Sequence, residues 1–126
     1  METLRCVAVV DDEAPMRTAL GRLLRLADCT VLCFASGEEF LVSLGARVPD
    51  CALLDIHMPG LSGLQVLQRL QASGTRLPVV LITANDSAEL AQQGRALGAV
   101  GVLLKPFSAE AMLAAIDAAI GGQRPG

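Results

Sequence analysis

The stretch CALLDIHMPGLSG, residues 51–63, decides the expected fold of this chain. Its first four residues are apolar, and Asp55 follows them directly. The chain's only histidine, His57, comes next, followed by three turn residues, Pro59, Gly60 and Gly63. A short apolar run that ends at turn residues is typical of a strand buried on both faces. Because open α/β sheets place their sites at the carboxyl ends of strands, Asp55 is the first candidate for a functional side chain.

Outward from this stretch, strand-like and helix-like segments alternate along the whole chain. Apolar runs rich in valine or leucine predict buried strands, and leucines at helical spacing predict amphipathic helices. The predicted strands span residues 6–10, 30–34, 50–54, 77–82 and 100–104, and the predicted helices span residues 14–27, 36–44, 62–72, 87–97 and 108–120. This alternation predicts an α/β fold, in which helices cover both faces of a parallel sheet through right-handed crossovers.

Length, composition and charge exclude several classes of protein. The 126 residues suit a single domain, expected at residues 1–121, followed by a flexible tail or the start of a linker at residues 122–126. A hydrophobic fraction of 52% favours a globular fold, and a formal net charge of -3 argues against a nucleic-acid surface. The sequence contains neither an apolar run of membrane-spanning length nor a signal peptide, so a cytoplasmic location is expected.

The four cysteines, Cys6, Cys29, Cys33 and Cys51, include no Cys-x-x-Cys pair. Three of them lie in the predicted strands. Their spacing does not match a zinc site, and the single histidine lies elsewhere in the sequence. The cysteines are therefore expected to be small buried hydrophobic residues with reduced thiols.

Polar residues stand where four of the five apolar runs end. They are Asp11 and Asp12 after the first run, Asp55 after the third, Thr83 after the fourth and Lys105 after the fifth. Parallel strands bring these ends to one edge of the sheet, and with strand order 2-1-3-4-5 the three aspartates would share a crevice. Three carboxylates this close repel one another, so the site requires raised pKa values or a cation. An all-oxygen site favours a hard ion such as Mg²⁺.

The same residues suit phosphoryl transfer. An aspartate carboxylate is a known nucleophile that gives an aspartyl phosphate, and Mg²⁺ suits phosphoryl oxygens. Lys105 would supply a point charge and Thr83 a hydroxyl donor to the phosphate. Lys105 is the only lysine beside nine arginines, and Pro106 restricts its backbone to an extended form. Asp55 is therefore expected to accept a phosphoryl group, assisted by Thr83 and Lys105.

The motifs VVDDEAPMR, LLDIHMPGLSG, LITA and LLKPF resemble, in order and spacing, those of the response-regulator receiver domain of two-component signalling. The resemblance covers residues 5–120. It implies a flavodoxin-like (βα)5 three-layer sandwich with strand order 2-1-3-4-5. It also implies that a sensor histidine kinase, or a small phosphodonor, phosphorylates Asp55. The implied Mg²⁺ ligands are Asp12, Asp55 and the backbone carbonyl of His57, with Asp11 acting through water, while Thr83 and Lys105 match the phosphate-sensing pair.

The resemblance carries further implications for regulation. His57 and Asn85 would tune dephosphorylation, because they flank the path of the attacking water. The face formed by the fourth helix, the fifth strand and the fifth helix would contact an output domain or partner protein, or form a homodimer. The sequence is also similar to FixJ-type receivers, which usually precede a helix-turn-helix output domain. Neither direct nucleic-acid binding nor membrane contact is expected of these residues.

One position departs from the family pattern. Receiver domains usually carry Tyr or Phe shortly before the lysine, at the position where this chain has Val102. A valine has a single χ angle and cannot swing inward as the ring does. Signalling is therefore expected to proceed by shifts of the loop and helix around residues 87–97.

Three alternatives stay open on sequence grounds. A Mg²⁺-dependent phosphatase with an aspartyl nucleophile needs an acid two residues after the nucleophile, where this chain has His57, and usually a cap domain. A nucleotide or flavin binder is less favoured, because both glycine-rich phosphate loops, Trp and Tyr are missing from the sequence. A receiver that works without phosphate is the third. The favoured interpretation is a signalling phosphoacceptor, whose only chemistry is self-catalysed phosphotransfer and slow autodephosphorylation.

Overall fold

The computed structural model describes residues 4–84 and 87–121. Within these ranges, five strands alternate with five helices. The strands are β1 (Cys6–Val10), β2 (Thr30–Phe34), β3 (Cys51–Asp55), β4 (Val79–Thr83) and β5 (Gly101–Leu104). The helices are α1 (Ala14–Leu26), α2 (Gly37–Ser43), α3 (Gly63–Ser73), α4 (Ala88–Ala96) and α5 (Ala109–Gly121). Each strand is followed by a helix, as the alternating sequence pattern predicts.

The strands form one parallel sheet in the order β2-β1-β3-β4-β5. Val10 lies opposite Leu54 in the β1–β3 pair, and Asp55 lies opposite Ile82 in the β3–β4 pair. All five strands therefore end at the same side of the sheet, which we call the carboxyl edge, and begin at the opposite side, the amino edge. The predicted α/β fold class and strand order are confirmed.

Helices cover the sheet on both faces, because side chains alternate between faces along each strand. On one face, α1 and α5 pack on β1, β3 and β4, through residues that include Leu20, Leu24, Met112 and Ile116 against Val7, Val9, Leu53 and Val80. On the other face, α2 and α3 pack through residues that include Phe40, Val66, Leu67 and Leu70 against Ala8, Val10, Leu54 and Leu81. The result is the three-layer sandwich expected from the sequence.

Serine side chains begin four of the five helices. The Oγ atoms of Ser36, Ser62, Ser87 and Ser108 each accept a hydrogen bond from the backbone N–H three residues later. Such N-caps satisfy amide groups that have no partner within the helix. Helix α1 differs, because its N-cap residue is Glu13, whose side chain makes no capping hydrogen bond.

The structure corrects several predicted bounds by one or two residues. Four predicted helices begin one residue later than expected, because the serine at each predicted start is the cap; these serines are Ser36, Ser62, Ser87 and Ser108. β4 begins at Val79 and not at residue 77, since Pro78 has no N–H to donate to the sheet. β3 extends to Asp55, so the candidate nucleophile is the last residue of the strand. The predicted tail at residues 122–126 lies outside the described ranges.

The cysteine prediction is correct in part. All four thiols are free, and Cys6 and Cys51 are buried. The prediction is wrong for Cys33, which is exposed, and Cys29 is only half-buried. Cys33 lies on β2, an edge strand whose residues are only partly covered. Within the described ranges, no helix combines the length and the apolar character that crossing a membrane requires.

Candidate functional site

The carboxyl edge brings Asp11, Asp12 and Asp55 together. One carboxylate oxygen of each residue lies within 4.8 Å of those of the other two. The cause is the sheet order, since Asp11 and Asp12 follow β1 and Asp55 ends the neighbouring strand β3. Asp11 and Asp55 are 1% and 4% exposed, whereas Asp12 is open to solvent. Two of the three carboxylates are thus removed from water.

Lys105 reaches this cluster from β5. Its Nζ lies 3.7 Å from Asp11 Oδ2 and 3.8 Å from Asp55 Oδ2. Its backbone N–H donates to the Thr83 carbonyl at 2.9 Å, which fixes the residue beside the end of β4. A third carboxylate oxygen, Glu13 Oε1, is 3.8 Å from the same Nζ. The lysine is therefore at ion-pair distance from three carboxylates, of which the sequence analysis identified two.

Thr83 is the last residue of β4 and is 1% exposed. Because Ile82 is opposite Asp55, Thr83 ends the strand next to the candidate nucleophile. Thr83 also lines a cavity of about 180 Å³ at the start of α4, together with Ser87, Ala91 and Val102. It therefore lies between the strand that carries Asp55 and the helix predicted to respond.

His57 is exposed, and its backbone rather than its ring contacts the candidate nucleophile. The His57 N–H donates to Asp55 Oδ1 at 3.4 Å. This places the backbone of His57 beside the acidic cluster, where its carbonyl was predicted to bind a metal ion. Asn85, the other residue predicted to tune dephosphorylation, lies outside the described ranges.

Gly63 fixes the loop that follows Asp55. It was predicted as a turn residue, but its close approach to β3 was not. Its N–H donates to the Ile56 carbonyl at 2.9 Å. A Cβ atom on Gly63 would lie 2.5 Å from the backbone oxygen of Asp55 and 2.8 Å from Ile56 Cα. Only glycine allows α3 to begin this close to the end of β3. The glycine at the end of the LLDIHMPGLSG motif was the available signal.

The loop after β1 orients Asp11. Its Oδ1 accepts a hydrogen bond from the Glu13 N–H at 2.9 Å, and its carbonyl accepts one from Arg17 Nη1 at 2.7 Å. Its second oxygen, Oδ2, is buried and has no hydrogen-bond partner among the described residues. Buried polar atoms are almost always paired, so an orphaned carboxylate oxygen is a feature of a site that takes a cation.

Both buried carboxyl groups have a raised pKa. For Asp55, burial is the main cause and nearby Asp11 adds to it, while the Lys105 ammonium opposes the change. For Asp11, burial again raises the pKa, and the hydrogen bond from the Glu13 N–H and the charge of Lys105 oppose it. One ammonium therefore does not offset the cost of holding these carboxylates out of water.

The donor atoms fit a hard divalent cation. Every candidate ligand side chain in the cluster is a carboxylate, and hard ions such as Mg²⁺ and Ca²⁺ prefer oxygen. Asp11 Oδ2 has no hydrogen-bond partner among the described residues, and both pKa values are raised, so Lys105 only partly offsets the negative charge. The three aspartates can therefore hold a metal ion at this edge.

Two curated relatives match 90% or more of this chain. The transcriptional regulatory protein FixJ of Bradyrhizobium diazoefficiens is 35% identical over 99% of this chain and 61% of its own length. The DNA-binding transcriptional regulator NtrC of Salmonella typhimurium is 37% identical over 90% of this chain and 24% of its own length. The chain thus spans less than two thirds of the length of these relatives.

Solved structures agree in fold. The crystal structure of FixJ-N is 28% identical and covers 100% of both chains with a TM-score of 0.90. The chemotaxis protein CheY4 of Vibrio cholerae is 29% identical and covers 93% of this chain and 99% of its own, with a TM-score of 0.85. The predicted likeness to FixJ-type receivers is confirmed. A family model described as the response regulator receiver domain matches residues 7–117, and the chain therefore belongs to that family.

Proposed function

We propose that Asp55 is the residue of this receiver domain that accepts a phosphoryl group from a sensor histidine kinase. The observation that carries the proposal is the surroundings of the Asp55 carboxylate. It ends a buried strand, with Asp11 and Asp12 within 4.8 Å and the Lys105 ammonium at 3.8 Å. A buried anion with a cation at one side and metal ligands at the other is suited to binding a charged phosphoryl group.

The reaction moves one phosphoryl group. A carboxylate oxygen of Asp55 forms a bond to phosphorus, and the bond from phosphorus to the donor histidine, or to a small phosphodonor, breaks with its electron pair on the leaving group. Lys105 and Thr83 bind phosphoryl oxygens and stabilise their charge. Mg²⁺ would be held by Asp12, Asp55 and the His57 carbonyl, with Asp11 through water, and when bound it neutralises charge on the phosphoryl oxygens.

Loss of the phosphoryl group depends on access of water to Asp55. The Asp55 side chain is 6% exposed, which limits this access. We propose that His57, which is exposed two residues along the chain, tunes this loss, and that Asn85 shares this role. The chain then acts as a signalling module, with slow autodephosphorylation and no turnover of an external substrate.

Signalling proceeds from Thr83 to α4. The cavity of about 180 Å³ beside Thr83 is lined by the first turns of α4, at Ala88 and Ala91, and by Val102. A valine leaves this space open where a ring would fill it, so the start of α4 has room to move when Thr83 engages the phosphate. The α4–β5–α5 face then changes its affinity for an output domain, a partner protein or a second copy of the chain.

Mass spectrometry of the intact protein tests the assignment. Incubation with acetyl phosphate or phosphoramidate is expected to add one phosphoryl group with Mg²⁺ present and far less without it. Asp55→Asn abolishes the addition, because an amide is not a comparable nucleophile. Asp50→Asn, directly before the first residue of the same strand, retains it. Addition of a phosphoryl group to Asp55→Asn would contradict the assignment.

The phosphatase alternative is not favoured. Such enzymes need an acid at the position of His57, which here is exposed and offers only its backbone to Asp55. The match to the receiver family spans residues 7–117 and leaves no room for a cap domain within it. Rapid turnover of small phosphate esters by the wild-type protein would reverse this ranking.

A further inference from the structure

We propose that Glu13 is a positioning residue of this site, whose carboxylate holds the Lys105 ammonium and competes for it with the phosphoryl group on Asp55. The inference deepens the proposed function and rests on it. Glu13 follows the Asp11–Asp12 pair directly but was not singled out in the sequence. Its role would be to set how readily Lys105 becomes available to an incoming phosphoryl group.

Glu13 lies as close to the Lys105 ammonium as the two buried aspartates do. Lys105 Nζ lies 3.7 Å from Asp11, 3.8 Å from Asp55 and 3.8 Å from Glu13. The Asp11 and Asp55 side chains are 1% and 6% exposed, whereas that of Glu13 is 64% exposed. Once a cation engages Asp11 and a phosphoryl group occupies Asp55, Glu13 is the one of these three carboxylates that keeps its full charge for Lys105.

The N-terminus of α1 supplies an independent observation. Glu13 occupies the N-cap position, with φ -92° and ψ 116°, yet its side chain makes no capping hydrogen bond. Ser, Thr, Asp and Asn are the residues that cap well, and serine does so at four other helices of this chain. The Glu13 carboxylate therefore does not cap α1. It lies near the Lys105 ammonium instead.

Hydrogen bonds hold the backbone of Glu13 beside Asp11, one of the predicted metal ligands. Its N–H donates to Asp11 Oδ1 at 2.9 Å, and Arg17 Nη1 donates to the Asp11 carbonyl at 2.7 Å. The Arg17 N–H in turn donates to the Glu13 carbonyl at 3.1 Å. These bonds keep Glu13 at a fixed place beside the cluster, so its carboxylate stays within reach of Lys105.

The expected effect is modest, because the Glu13 side chain is largely solvated. Ion pairs with an exposed partner change equilibria by roughly two- to fivefold. Removal of the Glu13 charge frees Lys105 for the phosphoryl oxygens. The rate of phosphoryl uptake from acetyl phosphate at saturating Mg²⁺ is therefore expected to rise by roughly two- to fivefold in Glu13→Gln.

Two Glu13 variants separate this role from helix capping. Glu13→Gln removes the charge without providing a better cap, whereas Glu13→Ser removes the charge and provides one. Both are expected to speed uptake, while only the serine variant raises the midpoint of thermal unfolding. Glu110→Gln removes an exposed charge from the first turn of α5 at the same edge, and is expected to leave uptake unchanged. The proposal would be overturned if the rate of phosphoryl uptake rose only in the variants whose midpoint of thermal unfolding rises.

The single lysine permits a direct readout of the contact. Protein labelled with isotopic lysine gives one set of side-chain NMR signals, those of Lys105. In the Mg²⁺-loaded form these signals are expected to shift in Glu13→Gln and to stay in place in Glu110→Gln. Unchanged signals in Glu13→Gln, with an unchanged uptake rate, would overturn the role of Glu13.

The outcomes distinguish the two proposals. Wild-type protein that takes up no phosphoryl group contradicts the proposed function, and the Lys105 signals still decide whether Glu13 holds the lysine. Normal uptake on Asp55 that is unaffected by Glu13→Gln overturns this inference alone.

Discussion

Asp50, directly before β3, and Asp55, its last residue, make very different contacts. At the amino edge, Asp50 Oδ2 accepts the Cys6 N–H at 2.7 Å, and the Asp50 N–H donates to the Cys6 carbonyl at 2.8 Å. At the carboxyl edge, Asp55 is buried, accepts one long bond from the His57 N–H at 3.4 Å and has a raised pKa. The aspartate at the amino edge thus stabilises the fold, whereas the one at the carboxyl edge is a buried charge that destabilises it, as the proposed function of Asp55 would require.

The glycines at the two ends of α3 are required for different reasons. Gly63, at the carboxyl edge, is buried, and a Cβ atom there would overlap the backbone of Asp55 and Ile56. Gly74, at the amino edge, has a φ of 70° and open space around it. One glycine is required by close packing against the site and the other only by its backbone conformation.

Gly63→Ala is expected to have the largest effect on stability, because neither neighbouring backbone atom can move aside cheaply. We expect a loss of about 3 kcal/mol in the free energy of unfolding, with slower phosphoryl uptake by the folded fraction. Gly74→Ala, the matched control, should cost about 1 kcal/mol and leave uptake unchanged. Urea denaturation followed by circular dichroism measures both. Equal losses would show that the close approach at Gly63 relaxes easily.

The aspartate pair is expected to respond with opposite signs. Asp50→Ala leaves the buried Cys6 N–H without its partner and should cost about 2 kcal/mol. Asp55→Asn removes a buried charge that Asp11 repels, and in the absence of metal it should stabilise the protein by on the order of 1 kcal/mol. Denaturation in a chelating buffer at pH 7 checks both. Destabilisation by both substitutions would remove the contrast between the two edges.

The pH dependence sharpens this test. Because the pKa of Asp55 is raised above its ordinary 3.8, the folded protein binds this proton more tightly than the unfolded chain. The free energy of unfolding of the metal-free wild type should therefore gain from this group as the pH falls from 7 toward the raised pKa. Asp55→Asn should show a smaller gain. Mg²⁺ competes with the proton for the Asp55 carboxylate, so it should stabilise the wild type more at neutral pH than at lower pH. Its stabilising effect on Asp55→Asn should be smaller.

The sequence predicted the fold because its strands are short apolar runs, three of them buried along their whole length, and four of the five runs end at a polar residue. It did not predict that Cys33 is exposed, since an apolar run does not reveal which strand lies at the edge of the sheet. The positions of Asp11, Asp55 and Lys105 followed from strand order alone. Glu13 was missed, and Gly63 was predicted only as a turn residue. The role of Glu13 depends on side-chain reach and that of Gly63 on backbone approach, neither of which spacing along the chain encodes.

Asp28 lies at the amino edge but, unlike Asp50, is expected to destabilise the fold. Its substitution is expected to change the free energy of unfolding least. It follows α1 with a φ of 64°, a left-handed conformation that glycine adopts without strain, and its N–H donates to the Arg25 carbonyl at 3.0 Å. Its negative charge also lies at a helix C-terminus, where the helix dipole disfavours it. Asp28→Gly should therefore stabilise the protein by about 0.5 kcal/mol, measured by urea denaturation.

Asp28→Asn is the control, because it removes the charge and keeps a side chain. A gain in stability equal to that of Asp28→Gly would show that the charge of Asp28 causes the cost. A smaller gain would show that its backbone conformation contributes. A loss of stability in both variants would mean that the Asp28 carboxylate contributes to the amino edge as Asp50 does, and the contrast between the two edges would then hold without exception.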